Sequence, residues 1–119
     1  MKLESLVGQE LYETLVEVRE NTGNYEEVVF PSKDIDLWNN ALTEKLGPPL
    51  ISSEEYEIVN SSKDVLESRI NVALDLADSY GGITQGQTLY HGIFESTVFL
   101  ILIWPWQNKL NSTLKMAIL

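Results

Sequence analysis

From Thr97 to Trp106 the chain reads Thr-Val-Phe-Leu-Ile-Leu-Ile-Trp-Pro-Trp, a run with no charge and almost no polarity. Crossing a bilayer core takes roughly 20 apolar residues, and this run stops at Pro105 after about half that length. β-Branched and aromatic residues dominate it (Val98, Phe99, Ile101, Ile103, Trp104), and these suit a pleated strand better than a helix. The run therefore predicts a buried strand covered on both faces. Val98, Leu100, Leu102 and Trp104 point one way; Phe99, Ile101 and Ile103 point the other. Pro105 lacks an N–H for the ladder and closes the regular pairing.

The neighbouring sequence places this strand inside a meander. Residues 87–95 read as the strand before it, and Pro105 to Ser112 as a turn-rich exit. Thr113 to Leu119 then alternates, with Leu114, Met116 and Ile118 on one face and Thr113, Lys115 and Ala117 on the other. Connections this short imply antiparallel pairing.

Helical periodicity dominates what comes earlier. Val7, Leu11, Leu15 and Val18 recur at i, i+4, i+8 and i+11, predicting a helix over 3–20 that stops at Gly23. A second helix is expected over 33–46. Ile35, Trp38, Leu42 and Leu46 form its apolar face, Ala41 lies beside them, and Gly47-Pro48-Pro49 end it. A third, over 63–80, carries a broader stripe (Leu66, Ile70, Ala73, Leu74, Ala77) and ends at Gly81-Gly82. Tyr25 to Phe30 fits an edge strand or an extended connector, because Pro31 argues against a central place. Residues 50–60 read as a short strand or extended arm, with a helix start at Ser53 as the alternative.

The result is one α+β domain spanning residues 1–119: three helices packed on a C-terminal antiparallel β-meander of three to five strands. Such an arrangement leaves the face of Phe99, Ile101 and Ile103 to be covered either by the chain's own helices or by a second subunit. Monomers seldom leave a large contiguous apolar patch in water, so the sequence reading favours a homodimer, with those three residues and Trp106 as interface candidates.

Charge narrows the partners. Residues 1–78 hold 17 acids and 6 bases, a net of −11, and residues 79–119 hold Glu95 against Lys109 and Lys115, a net of +1. The total of −10 argues against nucleic acid, whose affinity comes largely from Lys and Arg on phosphates, and against an anionic membrane surface. It suits a basic protein partner, or solubility alone. The early acidic residues show no signal peptide, so a cytoplasmic protein is the expectation.

Catalytic constellations are sparse. Without cysteine there is no thiol nucleophile or cysteine-ligated zinc, and a single histidine, His91, falls short of a hydrolytic zinc site. No Gly-x-Ser-x-Gly elbow occurs. The glycines of Gly81-Gly82-Ile83-Thr84-Gln85-Gly86 follow a helix instead of leading into one, the wrong polarity for a phosphate loop. Asp75 with Asp78, and Glu54, Glu55 and Glu57, could share a metal, but exposed helix faces account for them with less assumption. No cofactor is expected. Tyr90, His91 and Trp104 are the pocket candidates, lying where helices meet sheet. Trp104 is expected in the core and Trp106 partly exposed.

The sequence thus favours a non-enzymatic acidic interaction module of inhibitor, immunity or adaptor type. A small-molecule-binding domain or minor enzyme is the alternative.

Overall fold

The computed structural model describes residues 2–52, 68–83 and 86–119. In chain order the elements are α1 (Lys2–Val7), α2 (Gln9–Tyr12), β1 (Glu17–Asn21), β2 (Tyr25–Pro31), a 3-10 turn (Ser32–Asp34), α3 (Ile35–Leu46), α4 (Ser68–Asp78), β3 (Thr88–Phe94), β4 (Thr97–Pro105) and β5 (Asn111–Ile118). The strands form one antiparallel sheet in the order β1-β2-β5-β4-β3.

The predicted meander is present as β3-β4-β5, and the apolar run is its middle strand. Ile101 stands opposite Tyr90 on β3 and Met116 on β5. The central residues of the two faces are buried by different helices. Phe99, Ile101 and Ile103 join Val28, Phe30 and Leu114 beneath α1 and α3, which contribute Leu3, Leu6, Trp38 and Leu42. On the other face Leu100, Leu102, Leu89 and Ala117 pack under α4 through Ala73, Leu74 and Ala77. The fold is α+β as expected, with its helices divided between both sides of the sheet. The question posed by the second face is answered within the chain.

Three local expectations change. The helix predicted over 3–20 ends at Tyr12. Gly8 interrupts it at φ +91°, and the chain becomes strand from Glu17. Val7, Leu11 and Leu15 do pack against the core, so the stripe was real. But β-branched Val16 and Val18 lie on an exposed approach and edge strand, where helical spacing means nothing. Gly23, at φ +89°, turns a hairpin in which the Thr22 N–H donates to the Tyr25 carbonyl at 2.9 Å. A positive φ serves a helix stop and a hairpin turn equally well, and the sequence does not separate them.

Residues 25–31 form β2, which is interior, paired with β1 on one side and with β5 over seven residue pairs on the other. Pro31 occupies the last ladder position, where a missing N–H removes little. The alternation that should have marked this strand is blurred because Glu26, Val28, Val29 and Phe30 are all buried.

Elsewhere the readings and structure agree. The second helix lies within its predicted span, with Phe30 stacked on Trp38 at 4.8 Å. Gly92 has a packing reason: a Cβ there would lie 2.7 Å from the Leu46 carbonyl oxygen, so the end of α3 rests on β3 only because the side chain is absent. Of the 50–60 segment, Ile51 forms an antiparallel bridge with Leu89, while residues 53–60 lie outside the described residues. So do residues 63–67 at the start of the predicted third helix.

Candidate functional site

The residues singled out from sequence do not converge. Phe99, Ile101 and Ile103 retain 2, 0 and 1 % of their surface, so they are core and not an interface. Burying each contributes about 1.5–3 kcal/mol. Trp106 is half-buried as expected: its indole N–H donates to Thr113 Oγ1 at 2.7 Å, and the Arg19 guanidinium lies 5.3 Å above its ring. Trp104, expected in the core, is only partly covered, with Lys115 Nζ 5.2 Å from its ring.

The pocket candidates separate for a geometric reason. Tyr90 points into the α1/α3 face, where its hydroxyl donates to Asn39 Oδ1 at 2.7 Å and burial pushes its pKa up. His91, the next residue on the strand, points to the opposite face, and burial pushes its imidazole pKa below the usual value. Trp104 shares that face, but His91 is paired with Leu100, four residues earlier on β4 and thus about 13 Å away. These three line no common pocket.

Among the described residues no group of three or more His, Asp or Glu side chains is placed to hold a metal. Asp75 and Asp78 stand exposed on α4, and Glu54, Glu55 and Glu57 lie outside the described residues. Gly81 and Gly82 terminate α4, the Gly82 N–H bonding the Ala77 carbonyl at 2.9 Å. Among the described residues no helix is long and apolar enough to cross a membrane.

What the structure does build is a groove on the outer surface of the helical layer. Val7, Glu10, Leu11 and Thr14 line one side and Leu37 and Ala41 the other, around a volume of about 440 Å³. Gly8 makes the shape possible, because its positive φ lets the chain change direction between α1 and α2. On α3, Trp38 and Leu42 face the sheet; Leu37 and Ala41, one position earlier, therefore face outward over the groove. Leu37 remains 57 % exposed.

The α2 side of the groove is acidic, while the α3 row of Leu37 and Ala41 is flanked at the same spacing by Lys33 and Lys45. Glu10 lines it, and Glu13 is exposed immediately after α2, held by Gln9 Nε2 at 3.0 Å. Residues 4–20 contain five acids and one base. That base, Arg19, is turned toward Glu17 at 3.4 Å and Glu27 at 3.9 Å. Nearby carboxylates also act on Tyr12, whose hydroxyl pKa is raised first by burial and then by Glu26 and Glu4.

Sequence reasoning missed this groove because Val7 and Leu11 were counted as core stripe. The available signal was Leu37, an apolar residue off the Ile35-Trp38-Leu42-Leu46 stripe. Comparison of the chain with family models, with characterised proteins and with solved structures finds no match.

Proposed function

We propose that this protein is a non-catalytic interaction module that docks a basic partner in the groove between α2 and α3. The observation that carries this reading is the groove itself: apolar walls open to solvent, one of them an exposed leucine, with Glu10 in the lining. Apolar contacts supply affinity at such a site, while surrounding carboxylates select for a basic partner and speed its encounter. Tyr90 lies on the α1/α3 face and Trp104 on the α4 face, so these two pocket candidates do not form one site.

Parallel capture with the wild-type chain and with Leu37→Asp, at low and high salt, tests the reading. A partner held by the wild type should weaken at high salt, where exposed charges are screened, and should be lost from the variant. Equal retention by both chains refutes it.

A second reading has one observation in its favour. The groove volume of about 440 Å³ falls in the ~300–1,000 Å³ range of small-molecule sites. A ligand at 100 times its Kd stabilises by about 2.7 kcal/mol, so a thermal-shift screen separates the two, with Leu37→Asp as control.

A further inference from the structure

We infer that the occupant of the α2–α3 groove is an amphipathic α-helix of a partner protein, apolar along one stripe and basic beside it. This rests on the docking role proposed above and adds the conformation and charge of what docks.

The walls indicate the shape. Leu37 and Ala41 on α3 are four residues apart, so they repeat at about 6 Å along the helix axis. Facing them, Leu11 in α2 and Thr14 in the turn that follows it are three residues apart. A helix presents apolar side chains at the same one-turn interval, and a row of them settles between such ridges. The incoming helix would join a layer that already contains α1, α2 and α3.

Backbone chemistry points the same way. α3 satisfies its interior N–H and C=O groups internally. Across the groove, the carbonyls of Gly8, Gln9, Leu11 and Tyr12 accept the N–H groups of Tyr12, Glu13, Thr14 and Leu15, and the Thr14 hydroxyl donates to the Leu11 carbonyl at 2.6 Å. Neither wall offers the row of free N–H and C=O groups that an added strand needs. An extended segment lying here would bring backbone groups with nothing to pair against, whereas a helix arrives with its own already paired.

Charge completes the description. Glu10 in the lining and Glu13 after it leave the α2 side acidic, while Arg19 is engaged by Glu17 and Glu27. A Lys or Arg one turn from the apolar stripe of the incoming helix meets these carboxylates. A helix with Glu in that position meets like charge.

The test uses the 119-residue chain, isotope-labelled, and three synthetic peptides of ~18 residues, long enough for several helical turns: a Leu/Lys/Ala amphipathic helix, the same composition with two central prolines, and a Leu/Glu/Ala counterpart. The expected result is saturable movement of the Leu11, Thr14, Leu37 and Ala41 amide signals with the first peptide. Its binding should be at least tenfold tighter than either of the others, and at least tenfold weaker to a folded Leu37→Asp variant. If the proline peptide binds the groove equally well, the helical inference falls while the docking role stands. If no cationic peptide moves the groove signals saturably, the docking role itself falls. Binding to Leu37→Asp as tight as to wild type, or shifts confined to β1, overturns the inference by removing the occupant from the groove. Groove shifts that depend on protein concentration without any peptide would make the occupant a second copy of this chain, and would also overturn it.

Discussion

The sealing of the second sheet face by the chain's own helices has a quantitative consequence at Ile101. This residue is fully buried, between Tyr90 and Met116 in the ladder and beneath the α1/α3 layer. Ile101→Ala removes three carbons; at about 0.8 kcal/mol each the transfer loss is ~2.4 kcal/mol. Neighbours on both flanking strands and in the helical layer are themselves fully packed, so the site collapses little and a cavity term raises the cost to about 3–4 kcal/mol. For a domain of this size, ~4 °C in melting temperature accompanies each kcal/mol, giving a fall of about 12–16 °C. Ile101→Val, losing one carbon, should cost about 1 kcal/mol and ~4 °C. Melting followed by circular dichroism at two protein concentrations tenfold apart reads both the magnitude and its origin. If another subunit covered this face, the melting temperature of the wild type would rise with concentration. An Ile101→Ala cost below about 1 kcal/mol refutes the assignment of this face to the intramolecular core, and a concentration dependence abolished by Ile101→Ala but kept by Leu37→Asp would place a second subunit on it.

Three further perturbations test other parts of the fold. Gly92→Ala drives a methyl to within 2.7 Å of the Leu46 carbonyl oxygen and should cost about 1–3 kcal/mol in chemical denaturation; an unchanged midpoint would mean that the end of α3 does not rest on β3. The β3–β4 turn holds Glu95 at φ 50° and Ser96 at φ 63°, conformations that Asn and Gly adopt with less strain. Glu95→Asn with Ser96→Gly should therefore stabilise by about 1–2 kcal/mol, and a lower midpoint would show that the native pair makes compensating contacts. The hydroxyls of Tyr25 and Tyr90 have pKa values raised mainly by burial, so above pH ~10 the unfolded chain loses those protons before the folded one. Stability is complete below that pH and falls as pH rises toward the folded-state values. The urea midpoint should drop between pH 9 and pH 11, less steeply in Tyr25→Phe; equal slopes for wild type and variant would count against a buried Tyr25 hydroxyl.

How legible the sequence was depended on whether one structure alone satisfied a pattern. Thr97–Trp106 was legible because an uncharged run rich in β-branched and aromatic residues (Val98, Phe99, Ile101, Ile103, Trp104), interrupted by Pro105 well short of a membrane span, suits a buried strand. Residues 35–46 were legible because the Ile35-Trp38-Leu42-Leu46 stripe and the Gly47-Pro48-Pro49 stop agree. Residues 3–20 were not, because Val7, Leu11, Leu15 and Val18 keep helical spacing across a boundary set by Gly8 and by pairing with β2. That pairing is a long-range fact, which local periodicity does not encode. The groove was hidden for a related reason. A stripe shows which residues avoid water, but Val7 and Leu11 divide their surfaces between the core and an outer cleft. That division depends on how closely α2 approaches α3.

The burial of the sheet's central residues on both faces bears on the docking role proposed above. An α+β domain with helices on one side keeps an open sheet face, and the apolar run first suggested a second chain there. With α1 and α3 on one face and α4 on the other, the strongest apolar surface of the sequence is consumed in folding and is unavailable to any partner. The β3 edge is occupied at Leu89 by Leu50 and Ile51, and α3 lies over Gly92. The β1 edge is exposed, but it is short, carries a register shift between Val18 and Glu20, and bears Glu17, Arg19 and Glu20, features that discourage strand addition. Among the described residues, the outer surface of the α1–α3 layer carries a cleft with an exposed leucine at its wall. There the acidity of the N-terminal part of the chain and the apolar residues left off the core stripe meet in the same cleft. Under the docking role proposed above, the groove between α2 and α3 combines exposed apolar contacts with the carboxylate of Glu10, while the central apolar residues of the sheet are already buried by the helices.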